Sequence, residues 1–316
     1  MKKNQLYKYI NLLIRITIGV SAVWLIVDKL KDNFLVNFQQ INLIAINFNL
    51  IVIALLMVFL NWGIEAIKWR YSIRTVQKTS ILQAIKITIT GITLGLITPN
   101  RIGEIPSRAL LLNRKLFKEL TLKTLVSSFS QVLITLLLGV IGLIFTFHQF
   151  NLGIHPIILI VGLIIVTIFL FLAYFKVNKL EKLVNKFSYF KEKEIFKALS
   201  GFSFIELLNL LLMSLLRYLV FSFQFYLLLT AFGIQLISIH HICLIAVCFM
   251  FASFIPTILI SEIGVRGAVA ISVFGTISNL EFQIITASIL LWLINVALPA
   301  LIGIINLKEI KILKEN

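Results

Sequence analysis

Residues 124–175 read TLVSSFSQVLITLLLGVIGLIFTFHQFNLGIHPIILIVGLIIVTIFLFLAYF, from Thr124 to Phe175, without one Lys, Arg, Asp or Glu. A helix crosses the hydrocarbon core with about 20 apolar residues, so this stretch predicts two spans joined by the polar turn His148–His155. Tyr218–Ser261 and Phe282–Leu307 are also free of charge. The chain as a whole is 59% hydrophobic, with a mean hydropathy of +1.02. A soluble domain cannot hide that much apolar surface. The fold class is therefore an all-α polytopic membrane protein. The longest polar stretch, Lys176–Ser200, is too short and too Lys-rich to fold alone, so 1–316 is expected to form one membrane domain.

Working outward, candidate spans fall at 11–28, 49–68, 122–147, 155–175, 203–231 and 281–307. The first follows a basic N-terminus, as in a signal peptide. Arg15 interrupts it and no A-x-A site follows, so it reads as an uncleaved span. The formal charge of +16 would point to nucleic acid on a soluble protein. Here the positive-inside rule accounts for it, and no nucleic-acid partner is expected. Lys68–Lys86, Arg101–Lys123, Lys176–Lys197 and Lys308–Lys314 are rich in Lys and Arg and are assigned to the cytoplasm, with both termini. His148–His155 and Ala231–His240 hold neither residue and are assigned outside, together with the 28–48 loop. The chain is thus expected to be a multi-pass protein of the cytoplasmic (inner) membrane. The Lys176–Lys197 run, interleaved with apolar residues, suits an interfacial helix on anionic lipid.

This sorting leaves two apolar segments, 81–113 and 240–277, that begin and end on the same side. Each is expected to be a re-entrant hairpin. Six spans and two hairpins then form an inverted-topology repeat with halves 1–150 and 151–316, a transporter architecture. The alternative is eight full spans. The hairpins hold the charges and the helix breakers. Gly95, Pro99 and Gly103 are the expected breaks in the first, with Gly91 continuing their four-residue spacing. Pro256 and Gly264 are the expected breaks in the second.

Charge at membrane depth costs about 2.5–3.5 kcal/mol per residue on insertion scales, and it persists where it pairs or lines a cavity. Glu104 and Arg108 are i, i+4, and so are Glu262 and Arg266, so each couple can pair on its helix. Arg101 points into the turn or a cavity, where a guanidinium can hold phosphate bidentately. Arg101, Glu104, Arg108, Glu262 and Arg266 are the candidate substrate-binding residues. The competing reading makes the i, i+4 couples structural bridges. Arg217, inside the fifth span, is a possible cavity residue. Glu65, Lys68 and Arg70 end the second span beside Trp62 and Trp69 and read as an interfacial anchor. Cys243 and Cys248 imply no disulfide framework or metal site. No HExxH, CxxC, P-loop or GxSxG occurs, so no cofactor and no enzymatic activity are expected.

Gly91-x3-Gly95-x3-Pro99-x-Arg101-x-Gly103-Glu104-x3-Arg108, with Ile263-Gly264-Val265-Arg266 after a proline, resembles the transmembrane domain of lysylphosphatidylglycerol synthases. That flippase-like family includes stand-alone membrane proteins, and the resemblance covers nearly the whole chain. It implies movement of a lipid between leaflets, and the synthase domain of the fused members is not expected here. One departure matters. Many members have glycine before and glutamate after the Gly-Val-Arg triplet, whereas here Glu262 precedes it and Gly267 follows Arg266. No substrate identity is carried over. The resulting expectation is a flippase-like protein that binds an anionic or zwitterionic lipid, or a lipid-linked anion. The rival expectations are a membrane-embedded transferase on a lipid-linked donor and an accessory subunit of envelope lipid synthesis.

Overall fold

The computed structural model describes residues 46–96, 98–150, 155–179, 199, 201–257 and 259–309. The expected first span at 11–28, most of the expected interfacial helix at 176–197, and the C-terminal tail lie outside the described residues. Among the described residues every regular element is helical. The helices are α1 (Phe48–Ile73), α2 (Ile81–Gly95), α3 (Glu104–Leu112), α4 (Phe117–Thr146), α5 (Pro156–Phe175), α6 (Phe204–Ala231), α7 (Ile239–Phe254), α8 (Leu259–Phe274), α9 (Glu281–Trp292) and α10 (Leu298–Glu309). A single π-helical turn, Leu293–Ala297, joins the last two.

Five helical stretches are long and apolar enough to cross a membrane: Phe48–Ile73, Phe117–Gln149, Ile157–Phe175, Phe204–Ala231 and Glu281–Asn306. They coincide with the five expected spans after 11–28. The remaining helices are short. α2 has 15 residues, α3 has 9, and α7 and α8 have 16 each. At 1.5 Å per residue α2 is about 22 Å long, less than the roughly 30 Å core. α2 packs on α3 and α7 packs on α8, which makes two helical hairpins.

Both hairpins turn at a proline by the same device. Pro disfavours the α region for the residue before it. Thr98, before Pro99, has φ −112 and ψ 150, and Ile255, before Pro256, has φ −82 and ψ 119. The helices stop there. Gly264 does not break the second hairpin as expected: it lies within α8, which runs unbroken from Leu259 to Phe274. A helical glycine costs only about 1 kcal/mol relative to alanine, which intrahelical hydrogen bonding and packing can absorb. Among the described residues the second hairpin breaks at the turn at Pro256.

The contacts between elements are reciprocal. α1 packs along α6; α2 packs on α10, and α7 packs on α4. The first helix of each hairpin thus lies on the last helix of the opposite half. Each seam is made close by glycine. A Cβ on Gly303 would stand 2.8 Å from the Ile89 carbonyl oxygen of α2, and one on Gly142 of α4 would stand 2.8 Å from the Cys243 carbonyl oxygen of α7. Small residues let backbones approach in this way.

The loops sorted by charge are also sorted in space. At one end the Asn47 amide donates to the Ala231 carbonyl at 3.1 Å, and the His148 and His240 rings lie 6.3 Å apart. These belong to the three loops poor in Lys and Arg. At the other end Arg74 pairs with Glu206 at 2.8 Å, and the Lys123 ammonium sits 3.6 Å from the centre of the Phe202 ring.

Candidate functional site

The turn of the first hairpin is tied by one side chain. The Thr98 hydroxyl donates to the Gly95 carbonyl at 2.6 Å and accepts from the Gly103 amide at 2.8 Å. It links the end of α2 to the start of α3. Between them Asn100 and Arg101 both have positive φ, 47 and 57. Such backbone is uncommon outside glycine and clusters at functional sites. Gly91 and Gly95 open the face of α2 to the returning helix. A Cβ on Gly91 would stand 2.9 Å from Arg108 Cγ, and one on Gly95 would stand 3.2 Å from the Glu104 amide nitrogen.

The tips of the two hairpins touch. The Asn100 amide donates to the Thr257 carbonyl at 2.8 Å, and the Asn100 side-chain oxygen accepts from the Thr257 amide. Arg101 of the first hairpin pairs with Glu262 of the second at 3.3 Å. Residues about 160 positions apart in sequence therefore meet, and the expected i, i+4 couples lie beside them. Arg266 pairs with Glu262 at 2.9 Å and Arg108 pairs with Glu104.

Glu65 is the centre of the cluster. It is buried, with Arg108 at 2.8 Å on one carboxylate oxygen and Lys68 at 2.9 Å and Arg217 at 3.0 Å on the other. This corrects the reading of Glu65, Lys68, Trp62 and Trp69 as an interfacial anchor. All four are buried, and only Arg70 is exposed. The Trp69 indole donates to Thr124 at 2.9 Å. The reason is the first hairpin, which returns over this end of α1 and covers it. A signal was present: Asn61, Glu65, Lys68 and Ser72 recur at helical spacing and form one buried polar stripe on α1. Arg217, the possible cavity residue, lies in the cluster, donating to Asn61 at 3.0 Å as well as to Glu65.

Asn295 completes the network and was not expected from sequence. Its side chain accepts from Asn61 at 2.6 Å and its carbonyl accepts from the Trp62 indole at 3.1 Å. Pro299 explains the second bond. It has no N–H, so the carbonyl four residues earlier loses its helical donor. The π-turn just before Pro299, where the Leu298 amide reaches back to Leu293, is the kind of bulge found at functional sites. Lys68 also donates to Ser214 at 3.3 Å, whose hydroxyl bonds that of Ser130 at 2.7 Å.

The hairpin tips and the Glu65 cluster line a cavity of about 440 Å³, walled by both hairpins, α1, α4 and α6. Its charged lining is Glu65, Lys68, Arg101, Glu104, Arg108, Arg217, Glu262 and Arg266. Five cations face three carboxylates. A smaller lobe of about 150 Å³ shares Trp62, Arg101, Gln131, Arg217 and Arg266 with it. All five candidate binding residues thus stand in one place, with Arg217. Among the described residues no group of three or more metal-ligating side chains forms.

A sequence profile of the family described as Lysylphosphatidylglycerol synthase TM region matches residues 12–303. No curated protein and no solved structure matches the chain.

Proposed function

The chain belongs to the Lysylphosphatidylglycerol synthase TM region family, and from that premise and the charge cluster we propose that it binds a lipid or lipid-linked anion and moves it between leaflets. The observation that carries the reading is the cavity where the hairpins meet. Charges in hydrocarbon are costly and mark substrate pathways. Here eight line one cavity among membrane-spanning helices, and the balance is positive. A positive cavity draws anions.

The proposed mechanism uses the two hairpins as opposed gates. Each is re-entrant, one from each side, and the halves form an inverted repeat. The reciprocal seams α2–α10 and α7–α4 support this, because exchanging the halves exchanges one seam for the other. In such folds broken helices meet near the midplane around one site, and access alternates by rocking of the halves. The Asn100–Thr257 and Arg101–Glu262 contacts are where that motion opens. A headgroup entering between the tips takes over Arg101 and Arg266 from Glu262.

Reconstitution tests the reading. Purified protein in liposomes holding a trace of fluorescent phosphatidylglycerol in one leaflet is expected to expose that lipid to an impermeant quencher faster than empty liposomes. Arg101→Gln is expected to slow the exchange at least tenfold. Equal rates with and without protein, for every lipid class, would contradict it.

A further inference from the structure

Resting on the translocation reading, we propose that a proton crosses with each anionic lipid, carried between the Arg74–Glu206 end of the bundle and the cavity by a buried path through Lys123, Ser127, Ser130 and Ser214 to Lys68. Of the five cations that line the cavity, four are arginines and the fifth is Lys68. Arginine does not give up its proton in proteins, whereas a buried lysine can. The charged groups facing Lys68 are Glu65 on its own helix, Arg108 of α3 and Arg217 of α6. Arg108 and Arg217 hold Glu65 by themselves, so Lys68 can stand as a neutral amine without stranding the carboxylate.

The path leads away from the cavity between α4 and α6. Lys68 donates to the Ser214 hydroxyl at 3.3 Å, and the Ser214 and Ser130 hydroxyls lie 2.7 Å apart. Ser130 also donates to the Ser127 carbonyl at 2.7 Å. Lys123, Ser127 and Ser130 fall at i, i+4 and i+7 and so share one face of α4. All three, and Ser214, are 1% exposed or less, and none of them lines the cavity. The Lys123 ammonium and the Ser127 hydroxyl are buried without a hydrogen-bond partner. Such groups are costly unless water satisfies them, and buried water is what a polar gap of this kind holds. Beyond Lys123 stand Glu206 and Arg74, whose ion pair meets solvent.

The step is a relay of protons. An N–H bond of the Lys68 ammonium breaks as its proton bonds to Ser214 Oγ. The proton already on Ser214 passes to Ser130 Oγ, and that of Ser130 passes to water beside Ser127 and out past Lys123. Lys68 is left a neutral amine, one proton reaches solution, and the reverse sequence reloads it. When the site opens to the other side, the cavity itself gives Lys68 its second access to water. Charge supplies the coupling. The lining carries two positive charges in excess with Lys68 as ammonium and one with Lys68 as amine. The ammonium form therefore holds an anion better, and by linkage the anion holds the proton on Lys68. A singly charged lipid then crosses with no net charge.

A pH gradient across liposomes holding the full-length protein and a trace of fluorescent phosphatidylglycerol tests this, whichever way the protein is inserted. At one proton per lipid, a gradient of about one pH unit drives the ratio between leaflets toward about tenfold. With the acid side outside, an impermeant quencher is expected to show at least fivefold accumulation in the inner leaflet, beyond that of protein-free liposomes under the same gradient. A protonophore should abolish it. Ser130→Ala is expected to bring accumulation down to the protein-free level, and Ser130→Thr, which keeps the hydroxyl, to retain it. Should Ser130→Ala not fold, Ser214→Ala makes the same test. Exchange without accumulation in the wild type would overturn this inference and leave translocation standing. Undiminished accumulation in the alanine variant, or a loss shared by Ser130→Thr, would overturn the hydroxyl path. No protein-dependent exchange of any lipid would overturn both readings.

Discussion

The two hairpins carry the same i, i+4 Glu–Arg couple and use it in opposite proportions. In the first, one arginine stands between two carboxylates: Arg108 contacts Glu104 and Glu65 and is buried. In the second, one carboxylate stands between two arginines: Glu262 contacts Arg101 and Arg266, and both arginines keep open faces toward the cavity. The first arrangement engages both terminal nitrogens of the guanidinium with protein carboxylates and ties α3 to α1. The second leaves positive charge to spare. A motif read from sequence spacing alone is the same in both places; the third partner decides whether it is a brace or a binding surface.

The sharpest way to break this contrast is to remove Glu65. Taking one partner from a buried charge cluster leaves the others uncompensated, a cost of about 3–5 kcal/mol. Glu65→Ala takes the carboxylate partner from Lys68 and Arg217, leaves Arg108 with Glu104 alone, and is expected to give severe loss of folded yield and thermal stability. Adding Lys68→Met should recover part of it by removing one stranded cation. Unfolding in micelles, followed by fluorescence, measures both.

Next comes the pair of arginines themselves. Arg108→Ala is expected to destabilise by about 3 kcal/mol or more, since it leaves Glu104 without its partner and takes one of three cations from the buried Glu65. Arg266→Ala is expected to change stability by about 1 kcal/mol or less, because Arg101 still faces Glu262 and the site is partly open to water. Lipid retention should show the reverse order among the variants that fold. Equal stability losses for the two would erase the distinction between brace and surface.

A smaller effect sharpens the comparison at the turns. Thr98→Val keeps the side-chain shape and removes the hydroxyl that links Gly95 to Gly103. Two hydrogen bonds at about 0.5–1.5 kcal/mol each give an expected loss of about 1–3 kcal/mol in thermal stability. In the second hairpin the Thr257 hydroxyl reaches the Asn100 side-chain oxygen at 3.3 Å, a longer contact, so Thr257→Val should cost less.

Much of this architecture was legible in the chain. Spans 49–68, 122–147, 155–175, 203–231 and 281–307 correspond to helical stretches long and apolar enough to cross a membrane, because long apolar runs leave few alternatives. The segment 81–113 contains α2 and α3 with their turn at Pro99, since proline acts on its immediate neighbour and is read locally. What was not legible depends on packing across the fold. Glu65 and Lys68 sit in the last third of a 26-residue helix, where charges usually meet water; their burial comes from a hairpin that returns over them. Asn295 is a lone amide in an apolar run, and its role rests on a carbonyl freed by Pro299 and on a partner more than 230 residues away. Gly264 was expected to be a break, yet it lies within α8, because glycine alone does not stop a helix.

The central claim is that the two hairpins build one anion site. A double-mutant cycle on phosphatidylglycerol retention tests it most directly, with Arg101→Gln in the first hairpin, Arg266→Gln in the second, and both together. Residues that share a partner couple, whereas distant ones add within about 0.5 kcal/mol. Both arginines contact Glu262, so the expected result is a coupling of about 1 kcal/mol or more, seen as a double variant that binds at least fivefold differently from the sum of the singles. Additive losses, or unchanged retention in both single variants, would contradict the shared site.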